Sequence, residues 1–123
     1  SRLKYNYMKP EQQRIAIAEA CRYKPGCKCR LKQPRWRTPD NSGCCSINEL
    51  PDYLNDLNAI HEAEKTLIPI EYMKYVETLA EICGGGEDYY KGWTFWSMER
   101  ITRATAIQRA EAFLKTIGKW IED

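Results

Sequence analysis

Six cysteines stand out in the 123-residue chain as its densest reactive chemistry: Cys21, Cys27, Cys29, Cys44, Cys45 and Cys83. Cys27-x-Cys29 and Cys44-Cys45 flank a strong turn signal, Thr38-Pro39-Asp40-Asn41-Ser42-Gly43. A hairpin closing there would gather four thiolates, the ligand set of a structural zinc ion. Neither pair has the common two-residue spacing, and neighbouring residues on a strand face opposite ways. Free or buried small apolar thiols, and a disulfide, are therefore the competing states. The N-terminus carries no basic, apolar, small-residue leader pattern, so a cytoplasmic setting is expected, where disulfides are not the default.

The second chemical feature is charge. A net charge of +2 hides an asymmetry: residues 1–50 hold eleven Lys/Arg against four Asp/Glu, and residues 51–123 hold eight against thirteen. Arg22, Lys24, Lys28, Arg30, Lys32, Arg35 and Arg37 follow one another with no acid between them. With Tyr23 and Trp36 they form a candidate partner-binding stripe for phosphate or an acidic protein surface, or else pair with the acidic half. Near the C-terminus, Trp93, Trp96, Arg103 and Arg109 form an alternative ligand site in which aromatics stack on a base and guanidinium groups hold phosphate. The same aromatics, with Tyr89, Tyr90 and Phe95, also suit a core or an oligomer interface.

Material for catalysis is thin. His61 is the only histidine, so a charge relay or a His-rich metal centre has little material, and packing or surface hydrogen bonding is its expected role. Asp52, Asp56 and Glu62 on one helix are ordinary for a solvated face. Gly84-Gly85-Gly86 lacks the Lys-Ser/Thr of a phosphate loop and follows a helix instead of opening one. The chain is expected not to be an enzyme.

The elements that must position these residues follow from periodicity. A single domain is expected over residues 1–123, with residues 1–7 an expression remnant or disordered arm and Met8 a native start. Pro10 suits the first turn of a helix over residues 9–22. Prolines 25, 34 and 39 favour short edge strands, and the hairpin places Arg30–Arg37 opposite Cys44–Asn48 with Trp36 as its apolar anchor. A helix is expected from Leu50, opening at Pro51, with Tyr53, Leu54, Leu57, Ile60, His61 and Glu64 along one face. Another uses Ile70, Met73, Val76, Leu79, Ala80 and Ile82 and stops at the glycines. Tyr89–Met98 reads as strand material. Thr105 caps a last helix whose buried stripe is Ala106, Ala110, Phe113, Leu114, Ile117, Trp120 and Ile121. These elements predict an α+β fold, a small and largely antiparallel sheet covered by about four helices.

Three segments carry a resemblance. MKPEQQRIAIAEAC (Met8–Cys21), LPDYLNDLNAIHEAEK (Leu50–Lys65) and ATAIQRAEAFLKTIGKW (Ala104–Trp120) resemble the phage ABA sandwich family of small phage and prophage accessory proteins. The resemblance implies an α/β sandwich and a place in the cytoplasm of a bacterial host cell. It further implies a non-enzymatic accessory protein that binds a host macromolecule, either a host defence protein or nucleic acid. A counter-defence inhibitor such as an anti-CRISPR fits that setting, with a sponge for a defence signalling nucleotide as the alternative. No cofactor is expected beyond a structural zinc on Cys27, Cys29, Cys44 and Cys45, no membrane is expected as a partner, and a homo-oligomer would help to build a nucleotide pocket.

Overall fold

A computed structural model of the chain describes residues 8–27, 34–84 and 95–122. Helix α1 (Pro10–Ala20) opens with proline in its first turn, where a missing N–H costs nothing. It ends as Arg22 turns into the left-handed region, with φ 77°. Three short strands follow, β1 (Lys24–Pro25), β2 (Arg35–Arg37) and β3 (Cys44–Ser46), in one antiparallel sheet of order β1-β2-β3. The expected turn closes β2 onto β3. Asp40 Oδ1 accepts from Thr38 Oγ1 at 2.8 Å and from Ser42 N at 3.0 Å, and Asn41 takes φ 61°. The Ser42 side chain first, then the Ser42 N–H and the Thr38 hydroxyl, hold the Asp40 carboxyl down at about 2.

The register sorts the sheet into two faces. Pro25, Trp36 and Cys45 lie side by side, as do Lys24, Arg37 and Cys44. Trp36 is buried in the core and Cys45 packs against that core, so this face of β2 and β3 turns inward; Lys24 and Arg37 are exposed on the other face, and Pro25, on the edge strand, is exposed as well. Trp36 Nε1 donates to Glu19 Oε2 at 2.9 Å, which ties the sheet to α1.

After a 3-10 turn, Ile47–Glu49, the chain departs from the sequence expectation. The helix expected from Leu50 begins only at Leu57: α2 is Leu57–Glu64, capped by Asp56, whose side chain accepts from Asn58 N at 2.9 Å. Arg14 of α1 explains the delay. Its guanidinium donates to the carbonyls of Asn48, Leu50 and Pro51, consuming acceptors and holding Leu50 extended at ψ 150°. Tyr53 and Leu54 are buried from a turn instead of a helix. Leu57, expected in the core stripe, is 46% exposed.

Helix α3 (Pro69–Ile82) buries Tyr75, Leu79 and Ala80, whereas Ile70 and Met73 face outward, contrary to the expected stripe. It stops at Cys83, and Gly84 takes φ 83°. Helix α4 (Phe95–Thr102) corrects the strand reading of Tyr89–Met98 at its C-terminal end; Tyr89 to Thr94 lie outside the described residues. Arg100 Nη1 donates to Gly84 O at 2.6 Å, closing the end of α3 against α4.

Helix α5 (Ala106–Thr116) is the centre of the fold. Thr105 caps it as expected, accepting from Gln108 N at 3.1 Å. Its buried residues include Ala106, Ala110, Phe113 and Leu114, and it packs against α1, α2 and α3. Burying Phe113 alone is worth about 1.5–3 kcal/mol. The helix ends before Ile117, earlier than the expected stripe. Gly118 adopts φ 75°, and the N–H groups of Lys119 and Trp120 return to Leu114 O, which leaves Ile121 exposed. The fold is α+β, with five α-helices and three antiparallel strands among the described residues. None of its described helices is long and apolar enough to cross a membrane.

Candidate functional site

The outward face of the sheet brings the two ends of the cationic stripe together. Lys24 and Arg37 are cross-strand partners, both exposed, and Arg22 is exposed one turn before them. Among the described residues no carboxylate pairs with any of the three. Like charges placed directly opposite on neighbouring strands are destabilising. Arg35 is held differently. Its side chain is only 14% exposed and donates to Cys44 O at 3.2 Å and to Glu49 Oε1 at 3.4 Å, so its charge is partly spent inside the sheet. Trp36 is buried and serves as the anchor, not as a contact. Tyr23 is half-buried against the core; burial, and then the neighbouring Cys45, Cys21 and Asp40, push its hydroxyl up. Lys28, Arg30 and Lys32 lie outside the described residues.

The cysteines meet in a different way from the zinc expectation. Cys27 and Cys44 form a disulfide across the outer face, with Cα atoms 6.7 Å apart. Cys45 points to the inner face opposite Trp36, so the strand pleat parts it from Cys44. Its thiol is pushed up by burial. Cys29 lies outside the described residues, and no metal-holding cluster occurs among those described. A zinc ion at this place would require Cys27 and Cys44 as separate thiolates.

Beside Tyr23 a cavity of about 380 Å³ opens between the sheet turn and α2. Cys21, Tyr23, Pro39, Pro51, Tyr53 and Ala59 are among the residues that line it. Burial pushes the Cys21 thiol up, against the lowering effect of the neighbouring Tyr53 and Thr66 side chains. Burial likewise pushes the Tyr53 hydroxyl up.

The alternative ligand site is not assembled from the described residues. Arg109 is 12% exposed and bonded to Glu64 at 3.0 Å, to Ile101 O at 2.9 Å and to Ala104 O at 3.3 Å. Glu64 also accepts from His61 Nδ1, at 2.7 Å, and from the Tyr75 hydroxyl. Burial alone would raise the Glu64 carboxyl; the bonds from His61, Tyr75 and Arg109 win and hold it below the ordinary glutamate value. Arg109 is thereby a structural cation joining α2, α3 and α5. Arg103 is exposed and sits 3.9 Å from Glu99. Trp93 and the side chain of Trp96 lie outside the described residues.

Sequence reasoning missed this junction. A signal was present: Glu64 falls at the i+4 position from buried Ile60, and a carboxylate on a buried stripe calls for a cation. Asp52, Asp56 and Glu62 are each used locally, by Asn55, Asn58 and Lys65. Comparisons with models of known protein families, with curated proteins and with solved structures each found no match.

Proposed function

We propose that the chain is a non-enzymatic binding protein of phage or prophage origin that docks on the acidic surface of a host macromolecule, as a counter-defence inhibitor such as an anti-CRISPR would. The observation that carries the reading is the Lys24–Arg37 pair, two exposed like charges set opposite each other, with Arg22 alongside. Such a pair weakens the sheet that holds it. An anionic partner converts that repulsion into attraction and speeds encounter. The buried Trp36 and the Cys27–Cys44 bond hold the strands so that the cations are displayed on a fixed frame.

Anisotropy of a labelled polyglutamate and of a labelled single-stranded oligonucleotide tests the reading. Both should bind, more weakly as salt is raised. Changing Arg22, Lys24 and Arg37 to Glu should remove that binding at unchanged melting temperature. Binding that ignores salt and survives the triple charge reversal would rule the surface out.

A further inference from the structure

We infer that the cavity beside the cationic sheet face is an anchor pocket for one aromatic side chain of an acidic segment on a partner protein. The inference rests on the partner-binding reading above and adds the partner's chemistry. The cavity, about 380 Å³, lies in the size range of built ligand pockets. Four of its nine lining residues carry rings: Tyr23, Pro39, Pro51 and Tyr53. Proline rings have almost no rotamer freedom to lose, and Tyr53 is already buried, so the site exists before anything enters it. Arg14 adds to this by pinning the carbonyl of Pro51 at 2.9 Å.

The lining also carries a thiol and two hydroxyls, those of Cys21, Tyr53 and Thr66, polar groups that suit the tip of a tyrosine whose ring enters the cavity. Charge sets what flanks that ring. Tyr23 stands between Arg22 and Lys24, and Pro39 lies two residues beyond Arg37, so a chain leaving the pocket toward the sheet meets exposed cations. Glu62, which also lines the cavity, pairs with Lys65 at 2.6 Å. An aromatic residue among aspartates and glutamates satisfies both halves. A nucleic-acid base fits less well, because neither half-buried Tyr23 nor buried Tyr53 offers an open flat face for stacking.

The test uses the full chain with ¹³C-labelled alanine methyls and two fluorescein-labelled acidic peptides, one with a central Tyr and one with Ala in its place. The Tyr peptide should bind at least about tenfold more tightly, and it alone should shift the Ala59 methyl resonance. Ala59→Phe should erase the difference between the peptides. The methyl readout stands by itself should that variant fold poorly. Lys24→Glu with Arg37→Glu should weaken both peptides. Equal affinity for the two peptides, no binding of either, or an Ala59 methyl moved by an oligonucleotide and not by the Tyr peptide would each overturn the pocket. Equal affinity that still collapses on charge reversal removes the pocket and leaves the sheet face standing; indifference to charge reversal removes the sheet face.

Discussion

The sheet face and the junction of α2, α3 and α5 treat the same chemical group in opposite ways. At the junction, Arg109 is largely buried and each nitrogen of its guanidinium has a partner: Glu64 by charge, Ile101 and Ala104 by their carbonyls. On the sheet, Arg37 faces another cation across the ladder and is open to water. The junction spends its charges on holding helices together. The sheet leaves its charges unspent. That contrast separates residues whose loss should unfold the chain from residues whose loss should leave it folded and unable to bind.

Substitutions can break the contrast at either end. The largest effect should come from Phe113→Asp, which puts a charge into the fully buried face of α5 and should cost more than about 4 kcal/mol, enough to abolish a cooperative melt. Leu57→Asp is its control. Because Leu57 is half-exposed at the start of α2, where a negative charge suits the helix dipole, that change should stay within about 0.5 kcal/mol. Denaturant titration distinguishes the two.

Next in size is Arg109→Met, which leaves the largely buried Glu64 carboxylate with only His61 and Tyr75 and should cost about 3 kcal/mol, the low end for a broken buried pair. Adding Glu64→Gln to it should restore part of the loss. A double variant no more stable than Arg109→Met would mean that the ion pair is not what joins these helices.

A smaller effect is expected in acid. The folded-state value of Glu64 is lowered, so its contribution to stability is fully present above the ordinary glutamate value, 4.5, and is lost as pH falls through the lowered one. Asp40 and Glu49 are lowered as well and act with the same sign. The comparison is therefore between wild type and Glu64→Gln: the variant should lose less stability between pH 5 and pH 2, roughly the span over which carboxylates protonate. Parallel curves would show that the junction does not feel the Glu64 charge.

The smallest effect has the opposite sign. Lys24→Glu replaces a like pair by an attractive one across the ladder and should stabilise by about 0.2–1 kcal/mol while weakening binding to polyanions. A variant that is both more stable and a poorer binder sharpens the contrast; one that is destabilised breaks it.

Much of the frame was legible because its signals are local. Pro10 opened α1, Thr105 capped α5, Gly84 closed α3, and the Thr38–Gly43 turn set the hairpin with Trp36 inside. What failed was set by distant partners. The start of α2 was misread because Arg14, more than thirty residues earlier, captures the carbonyls of Asn48, Leu50 and Pro51. Arg109 was read as a phosphate holder because Glu64 is 45 positions away and no periodicity links them. Phe95 to Met98 looked like strand from aromatic content alone, although propensity for strands reports packing more than backbone preference. On the site itself, the cationic stripe was visible as charge, but which cations stay free depended on distant partners: Arg35 and Arg37 share one face of β2, and Arg35 finds Glu49.

The Cys27–Cys44 bond closes a ring around the middle of the stripe, with a sequence separation of 17. Within a ring, a broken peptide bond does not divide the molecule. A protease that nicks the chain anywhere between the two half-cystines leaves α1 covalently joined to everything after β3, and the two pieces part only once the disulfide is reduced.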